Sequence, residues 1–389
     1  MFKRSFAFLA CLLLLCACLA AARAQEKTPG PLFPVRLGGK WGYIDRTGKI
    51  VIRPQYDGAF PFYDGVARVM TGQRFAGARW SYIDKSGKPI FKDLPVDRLE
   101  DFTEGLGAVC LDKRDERGGI LCGYMDTQGK WAIAPEIYNV MEFRDGLARV
   151  ALPSKESRTW TREVYLDKTG KVALDLSSIP TQNSNGFSEG LARFAVSGKG
   201  EGYLPQGFMD KTGKVVIEPK FEGAGDFSEG LAAVMFFKPP KVPDYEKDEP
   251  FDAGFIDRTG KIVIKPQFEY YQPFSEGLAF VLIRGKMGAI DKTGQVRIRP
   301  QFDLHEPRYG PYSGVLDYFK EWRPWMFSEG LAAVSRGNLW GYVDKTGKLV
   351  IPPRFRKAFN FSNGLALVIV GNRVGYIDRR GRYVWRPTR

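Results

Sequence analysis

Two short sequence units alternate along almost the whole chain, and this repetition constrains the fold more than any other feature. The first unit reads Gly-Tyr-Ile-Asp-Arg-Thr-Gly-Lys-Ile-Val-Ile at 42–52, and its nine copies place an aspartate at 45, 84, 126, 167, 210, 257, 291, 344 and 378. The second unit reads Phe-Ser-Glu-Gly-Leu-Ala-Ala-Val at 227–234 and 327–334, with relatives at 62, 102, 143, 187, 274 and 361. This self-similarity predicts one continuous array of about nine repeats instead of separate domains.

Each copy of the first unit is predicted to be a β-hairpin. Aspartate at the first turn position accepts hydrogen bonds from backbone amides two residues on, and glycine at the fourth position supplies a positive φ. This combination suits a type I turn closed by a glycine bulge. The nine aspartates are therefore interpreted as turn formers, and not as catalytic acids or metal ligands. A calcium loop would need alternating acidic residues, whereas these turns contain basic ones.

In the second unit, Phe-Ser-Glu-Gly predicts a turn and Leu-Ala-Ala-Val a third strand, so each repeat is an all-β, three-stranded meander. The proline of bridging segments such as Lys265-Pro266-Gln267-Phe268-Glu269 is predicted to mark a corner, because proline does not fit a central strand. Consecutive apolar residues indicate strands covered on both faces, as stacked repeats provide. An open β-solenoid or superhelical stack and a closed β-propeller both satisfy this pattern. Nine uneven repeats of three strands favour the open array.

The first unit resembles the WG-containing repeat of bacterial proteins, which is named for its Trp-Gly pair. Lys40-Trp41-Gly42-Tyr43-Ile44-Asp45 and Leu339-Trp340-Gly341-Tyr342-Val343-Asp344 carry the resemblance most clearly, and it extends over the whole array. Only positions 41 and 340 keep the tryptophan, which indicates a packing role for it. The resemblance implies a binding or scaffolding module, and it supplies no catalytic residues and no cofactor.

The first 24 residues are predicted to be a signal peptide. Lys3 and Arg4 precede an apolar run, and Ala22-Arg23-Ala24 supplies the small residues of a cleavage site. Leu15-Cys16-Ala17-Cys18 gives an alternative, a lipoprotein whose anchor is attached to Cys18. Either way the chain is expected to be exported, to the periplasm, the medium or a membrane surface, without a transmembrane span. Residues 25–39 are expected to be a lead-in and residues 40–389 the repeat array, with insertions near 112–119, 235–253 and 303–326.

Cys110 and Cys122 are the only cysteines that follow the signal peptide. They flank a polar loop between two strand-like runs, so they are predicted to face each other across a hairpin and to form a disulfide in an oxidising compartment. Two buried free thiols are the alternative. Neither interpretation makes them catalytic, because no histidine lies near them in the sequence.

Composition restricts the chemistry further. His305 is the only histidine, so every scheme with a histidine base depends on it, and we expect it to be a loop residue. Without Lys3, Arg4 and Arg23 the formal charge falls from +14 to +11, and it is spread over many turns. A dispersed charge on an exported chain argues against nucleic acid and favours anionic envelope material as a partner.

The insertion near 303–326 is the predicted binding site. Aromatic side chains and arginine dominate protein interfaces, and flat rings also stack on sugars. The expected binding residues are Tyr309, Tyr312, Tyr318, Phe319, Trp322, Arg323 and Trp325. The alternative is that these rings cover the core of adjacent repeats.

The sequence thus predicts an exported, non-catalytic scaffold for a protein or envelope glycan. A glycan-active hydrolase with paired carboxylates such as Glu246, Asp248 or Glu249, or a purely structural envelope protein, is the alternative.

Overall fold

The computed structural model describes residues 30–73, 76–91, 94–116, 118–154, 161–179, 181, 183–197, 204–237, 251–305 and 324–388. Within these residues all regular elements are β-strands, apart from one 3-10 helix, Leu176–Ser178. None of the described residues belongs to a helix long and apolar enough to cross a membrane. The strands form nine antiparallel sheets that follow one another along the chain.

The bounds of the strands are as follows. Sheet 1 contains β1 (Phe33–Leu37), β2 (Lys40–Ile44) and β3 (Ile50–Tyr56); sheet 2 contains β4 (Gly58–Ala59), β5 (Val66–Gln73) and β6 (Ala76–Asp84); sheet 3 contains β7 (Val96–Leu99), β8 (Leu106–Arg114), β9 (Ile120–Asp126) and β10 (Trp131–Ile137). Sheet 4 contains β11 (Asn139–Val140), β12 (Leu147–Pro153), β13 (Thr161–Asp167) and β14 (Val172–Asp175); sheet 5 contains β15 (Asn183–Ser188), β16 (Leu191–Ala195), β17 (Gln206–Asp210) and β18 (Val215–Phe221). Sheet 6 contains β19 (Gly223–Ala224), β20 (Ala232–Phe237), β21 (Phe251–Ile256) and β22 (Ile262–Phe268); sheet 7 contains β23 (Leu278–Ile283), β24 (Lys286–Asp291) and β25 (Val296–Phe302). Sheet 8 contains β26 (Phe327–Ser328), β27 (Leu331–Arg336), β28 (Leu339–Asp344) and β29 (Leu349–Phe355); sheet 9 contains β30 (Lys357–Ala358), β31 (Leu365–Val370), β32 (Arg373–Asp378) and β33 (Tyr383–Thr388).

The predicted hairpins form at the nine aspartate turns. In the first, the Oδ1 atom of Asp45 accepts hydrogen bonds from the N–H and the hydroxyl of Thr47 and from the N–H of Lys49, at 2.8, 2.6 and 3.0 Å. The N–H of Gly48, whose φ is 89°, donates to the carbonyl oxygen of Asp45. A positive φ costs glycine little, so this residue closes the turn without strain.

The glycine that precedes seven of the nine hairpins has a steric reason. A Cβ atom on Gly42 would lie 2.4 Å from the carbonyl oxygen of Ile52 on the neighbouring strand, and one on Gly341 would lie equally close to that of Ile351. The paired strands approach too closely at this point for any side chain. The glycine of the Trp-Gly pair is therefore required by strand packing.

A fourth strand, missed in the sequence, completes most sheets. The segment before each Phe-x-x-Gly turn, predicted to be a bridge to the next layer, pairs with the strand that follows the turn. In sheet 9 Ala358 is paired with Val368, and the N–H of Phe359 donates to the carbonyl oxygen of Leu367 at 3.0 Å. The repeat is therefore a four-stranded meander, whose strands we label A to D in chain order.

The proline that follows most hairpins also differs from its prediction. Pro54 lies inside β3, in strand position D, and the register of β3 shifts between Ile52 and Tyr56. Position D is the outer edge of the sheet, where a missing N–H breaks no ladder, so the proline marks a bulge in an edge strand and not a corner.

The array closes on itself. The rings of Phe33 in sheet 1 and Tyr376 in sheet 9 lie 5.4 Å apart, and one hydrophobic cluster joins Val35 and Trp41 to Leu367. The nine sheets are therefore the blades of a closed β-propeller. The prediction of an open solenoid or superhelical stack was wrong and its closed alternative is confirmed, because the first and last sheets bury apolar faces that an open array would leave in water.

Blade 1 is incomplete among the described residues. Its first strand, β1, pairs with β2 as strand B pairs with strand C elsewhere, and the described chain before it begins at Gly30. Eight blades contain a Phe-x-x-Gly turn between A and B, and blade 1 does not. Because β1 lies at 33–37, the array also begins inside the segment predicted to be a lead-in.

Candidate functional site

The two edges of the ring differ in character. Since neighbouring strands are antiparallel, the A–B and C–D turns lie on one edge, which we call the turn face. The B–C turns and the connections between blades lie on the other edge, which we call the loop face. The strands on either side of the long insertions, β20 and β21 around 238–250 and β25 and β26 around 303–326, end on the loop face. The loops that vary in length therefore share one edge.

Most of the predicted binding residues lie outside the described residues. Tyr309, Tyr312, Tyr318, Phe319, Trp322 and Arg323 all belong to this group, so their role stays a prediction. Glu246, Asp248 and Glu249, the carboxylates of the hydrolase alternative, also lie outside it.

Trp325 is a core residue, which corrects its assignment to an exposed binding surface. Only 1% of its surface is exposed. Its ring lies 5.5 Å from that of Phe280 in blade 7 and 5.4 Å from that of Trp340 in blade 8. The aromatic ring of Trp325, which suggested a binding role, packs instead in the core between these two blades.

His305 is a half-buried residue that follows β25. Its Nδ1 atom lies 3.4 Å from the hydroxyl of Ser335, and its Nε2 atom lies 3.3 Å from Oδ1 of Asn338. These two contacts join the end of blade 7 to the B–C turn of blade 8. Neither polar partner is a carboxylate, so the geometry indicates a structural contact in place of an acid–base pair.

Cys110 and Cys122 occupy facing positions on β8 and β9, and their sulfur atoms are bonded at 2.05 Å. Both residues are buried in the core of blade 3. They link the two strands that flank the loop near 112–119.

A ring of contacts joins successive blades at the turn face. The first residue of each A–B turn has a positive φ, and in seven junctions its side chain accepts a hydrogen bond from the glycine N–H of the next turn. The pairs are Asp64–Gly105, Glu104–Gly146, Asp145–Gly190, Glu189–Gly230, Glu229–Gly277, Glu276–Gly330 and Glu329–Gly364. In four of these junctions the serine of one turn also donates its hydroxyl to the phenylalanine carbonyl of the next, for example Ser228 to Phe274 at 2.7 Å.

Basic residues of the aspartate turns bind the same carboxylates. The Nζ atom of Lys292 lies 3.2 Å from Glu229, and that of Lys345 lies 3.1 Å from Glu276. In each pair the lysine belongs to the blade that follows the carboxylate. These acidic groups therefore hold blades together, which explains their regular spacing without a catalytic role.

Buried tyrosines add a second set of contacts between blades. The hydroxyl of Tyr43 donates to the carbonyl oxygen of Phe60 at 2.8 Å, and that of Tyr342 donates to Phe359 at 2.7 Å. Burial raises the pKa of Tyr43 and Tyr342 well above the ordinary value. Their hydroxyls stay protonated and act as hydrogen-bond donors.

A cavity of about 600 Å³ lies between blades 9, 1 and 2. Half-buried aromatic side chains, Phe62, Tyr63 and Phe359, line it together with the buried Phe361. Ligand sites in proteins have volumes of about 300–1,000 Å³ and apolar walls with few polar groups, so this cavity has the dimensions of a binding site.

Arg68 and Asp101 form a charged pair in the cavity wall. Its guanidinium donates to both carboxylate oxygens of Asp101, at 2.6 and 2.8 Å, and to the carbonyl oxygen of Leu99 at 2.7 Å. It also lies over the ring of Phe60, 4.2 Å from the centroid. Each charge is thus compensated within the protein, and the pair fixes blade 2 to blade 3.

Within the described ranges, no three histidine, cysteine or acidic side chains are grouped so that they can hold a metal ion. The turn aspartates use one oxygen each for their own backbone. The hydroxyl of Thr47, for example, lowers the pKa of Asp45. The described site chemistry is therefore that of a largely aromatic cavity whose polar groups include the paired Arg68 and Asp101 besides amides and hydroxyls.

Comparison with solved structures shows similarity of fold. The structure described as the crystal structure of the eukaryotic initiation factor matches with 10% identity and a TM-score of 0.59, over 91% of this chain and 94% of that one. The β-propeller domain of the Trilobed protease from Pyrococcus furiosus matches with 11% identity over 75% and 98% of the two chains, at a TM-score of 0.39. A puromycin-hydrolyzing peptidase of Mycobacterium tuberculosis matches with 12% identity over 92% and 57%, at 0.38.

No protein of curated function matches the sequence. The sequence model of the WG containing repeat matches residues 41–75, 123–152, 207–236, 254–286 and 340–373. Each match covers strands C and D of one blade and continues into strands A and B of the next, so one sequence repeat spans a junction between blades. With five matched repeats distributed from blade 1 to blade 9, the chain belongs to the WG containing repeat family.

Proposed function

We propose that this chain is an exported, non-catalytic binding protein that holds a protein or an anionic envelope glycan at its loop face. The observation that carries the proposal is the position of the long insertions, which all leave the ring at one edge. The opposite edge repeats the aspartate turn in nine blades and the Phe-x-x-Gly turn in eight. In repeat proteins, variable loops gathered on one face commonly form the binding surface.

The use of the carboxylates supports binding over hydrolysis. At the turn face, the described acidic groups accept backbone hydrogen bonds within a turn or from the next blade. These carboxylates therefore stabilise the fold. The hydrolase alternative depends on residues near 246–249, for which no described contact supplies support. A formal charge of +11 after removal of the signal peptide favours an anionic partner.

Export is part of the same proposal. The bonded pair of Cys110 and Cys122 fits an oxidising compartment. The mass of the mature protein distinguishes the two forms of processing: a chain that begins at Gln25 indicates a signal peptidase I substrate, and a lipid on Cys18 indicates an anchored lipoprotein. A mature chain that keeps residues 1–24 would contradict export by either route.

Affinity capture from envelope extracts tests the binding proposal. The bait proteins are the wild type and a Tyr318→Ala/Trp322→Ala variant, which leaves the core residue Trp325 in place. Tyr383→Ala, which removes an exposed ring from an outer strand, is the matched control. We expect the double variant to lose at least about tenfold in retention and the control to lose none. Equal retention by all three baits would exclude these rings from the binding surface.

A further inference from the structure

The positive charge of the chain is concentrated in three consecutive blades, which differs from the prediction of a dispersed charge. Residues 324–388, which contain blades 8 and 9, have eleven basic and three acidic side chains, a net charge of +8. Residues 30–57, which contain blade 1, have five basic and two acidic side chains, a net charge of +3. Blades 8, 9 and 1 are neighbours in the closed ring, and we call them the basic sector.

The rest of the ring is close to neutral. Residues 58–323 contain 37 basic and 38 acidic side chains, a net charge of −1. From residue 25 onward, the whole chain carries a formal charge of +11, which equals the charge of the basic sector. The excess of positive charge therefore lies on three of the nine blades.

Arginine supplies most of the cations in this sector. Residues 324–388 contain eight arginines and three lysines, whereas only 17 of the 37 basic residues at 58–323 are arginines. A guanidinium group is always charged, and its planar shape allows two parallel hydrogen bonds to one phosphate or carboxylate. Phosphate groups are therefore among the anions that this surface fits best.

Two exposed arginines of blade 8 are held in place by neutral groups. The guanidinium of Arg356 donates to Oδ1 of Asn372 at 2.6 Å and to the carbonyl oxygen of Gly371 at 3.2 Å. That of Arg354 donates to the carbonyl oxygen of Gly381. These acceptors carry no charge, so they orient the guanidinium groups and do not neutralise them.

The carboxylates of the basic sector all have contacts that belong to the fold. Asp57 forms an ion pair with Lys40 at 2.6 Å, and Glu329 accepts the N–H of Gly364 at 3.0 Å. The other three accept hydrogen bonds within their own turns, and they are Asp45, Asp344 and Asp378. The sector has sixteen basic side chains for these five carboxylates, so most of its positive charge has no acidic partner within the sector.

The outer wall of the sector presents cations next to apolar side chains. Arg53 in β3, Lys348 just before β29 and Arg386 in β33 are exposed, and none of these side chains has a hydrogen bond or ion pair with a described residue. Val51 and Val350 lie on the same outer strands and are 40% and 38% exposed. Small ligands bind in concave sites, whereas this wall is the convex outside of a ring. A convex surface of cations and small apolar side chains suits the headgroup region of a bilayer.

We propose that the basic sector docks the ring on the surface of a membrane that contains anionic phospholipids. The outer edges of blades 8, 9 and 1 lie against the headgroup phosphates, and the near-neutral blades 2 to 7 point away from the bilayer. The attraction comes from charge complementarity, so it weakens as salt is added. The ring stands on its edge in this arrangement, which leaves the loop face accessible to a partner.

Sedimentation with phospholipid vesicles tests the proposal. One set of vesicles contains phosphatidylcholine alone, and the other contains equal amounts of phosphatidylcholine and phosphatidylglycerol. We expect the wild type to bind the anionic vesicles at least about tenfold more tightly than the neutral ones, and about 0.5 M NaCl to remove most of this difference. This comparison uses the wild type alone, so it tests the proposal even if a variant does not fold.

Charge reversal in the sector locates the docking surface. Arg53→Glu/Lys348→Glu/Arg386→Glu changes one exposed cation in each blade of the sector, and we expect it to lose at least about tenfold in affinity for the anionic vesicles. Glutamate is compatible with this position of the outer strand, because Glu218 in β18 occupies the place that Arg53 has in β3.

A matched variant separates the location of the charge from its total. Lys171→Glu/Lys214→Glu/Lys265→Glu reverses one exposed cation in each of blades 4, 5 and 6, which is the same change in net charge. We expect this variant to lose less than about threefold in affinity for the anionic vesicles. Urea unfolding of both variants shows whether each is folded.

Three results would overturn the proposal. The first is equal affinity of the wild type for the two kinds of vesicle, and the second is an equal loss in the two variants. The third is binding to dextran sulfate without binding to anionic vesicles, which would assign the basic sector to an acidic polysaccharide. The substituted residues lie on outer strands and at the aspartate turns, so the result is independent of the test of the loop face.

Discussion

The hydroxyl of Tyr376 donates a hydrogen bond of 3.1 Å to the carbonyl oxygen of Pro34, which lies 342 residues earlier in the chain. In blade 8 the corresponding residue, Tyr342, binds the inner strand of the blade that follows it. Blade 1 has no inner strand among the described residues, so Tyr376 reaches β1 directly. The tyrosine at this position therefore joins blade 8 to blade 9, and in blade 9 it joins the last blade to the first and so closes the ring.

Replacement of these two tyrosines distinguishes a closed ring from an open one. We expect Tyr376→Phe and Tyr342→Phe to lower the free energy of unfolding by similar amounts, about 1 kcal/mol each, because each removes one buried hydrogen bond. Urea unfolding followed by tryptophan fluorescence measures both. A loss in Tyr342→Phe without any loss in Tyr376→Phe would mean that blades 9 and 1 separate in solution.

The contact of Glu229 with Gly277 supplies a second prediction. Glu229→Ala leaves a residue with positive φ in the turn and removes the acceptor for the next blade, so we expect a loss of about 1–2 kcal/mol in the free energy of unfolding. Asn363→Ala is the control. It also has a positive φ, but the side-chain hydrogen bond described for it goes to Ser362 of the same turn and not to another blade. A comparable loss in the control would contradict a role for the contact between blades.

Trp325 offers a test of core packing. Trp325→Ala leaves a cavity between Phe280 and Trp340, and we expect a loss of about 3–5 kcal/mol. Its ring N–H is buried without an acceptor among the described residues, so Trp325→Phe removes no hydrogen bond and is expected to cost less than about 1.5 kcal/mol. Equal losses in the two variants would indicate that the volume of the ring does not decide its contribution.

The hairpins were predictable because their determinants are local. The five residues from Asp45 to Lys49 contain the hydrogen bonds and the positive φ that the turn needs. The inner strand was missed because it is only two residues long in several blades, for example Gly58–Ala59, and shows no alternation. The number of blades followed from the number of aspartate turns.

Closure of the ring was not predictable from one repeat. It depends on a small rotation that accumulates over nine junctions, and the contact of Phe33 with Tyr376 joins the two ends of the array. The sequence did contain one sign of the cavity, since nine first units alternate with only eight second units. That difference identifies an incomplete blade only once the ring is known to be closed. For Trp325, the high aromatic content of the insertion does not show whether the ring is buried or exposed.

The disulfide is expected to stabilise blade 3. A cross-link that closes a loop of about 15 residues stabilises a protein by about 3 kcal/mol in the chain-entropy model. Cys110→Ser/Cys122→Ser closes no such loop, so we expect a loss of up to about 3 kcal/mol, measured by urea unfolding. Dithiothreitol should lower the stability of the wild type by a similar amount and leave the variant unchanged. An equal effect of the reductant on the variant would mean that the loss of stability does not come from this disulfide.

The turn aspartates predict a loss of stability in acid. The hydroxyl of Thr293, together with the N–H of Thr293 and the Arg297 side chain, lowers the pKa of Asp291 to about 2. In the unfolded chain an aspartate titrates near about 3.9. Because the folded pKa is the lower of the two, the carboxylate contributes its full stability above about pH 4 and loses it as the pH falls through about 2.

Side-chain carbon chemical shifts of Asp291 measure this pKa directly. Thr293→Val and Arg297→Ala should each raise it towards the ordinary value, and Lys265→Ala, on the neighbouring blade, should leave it unchanged. A pKa near about 3.9 in the wild type would show that the turn does not stabilise the carboxylate.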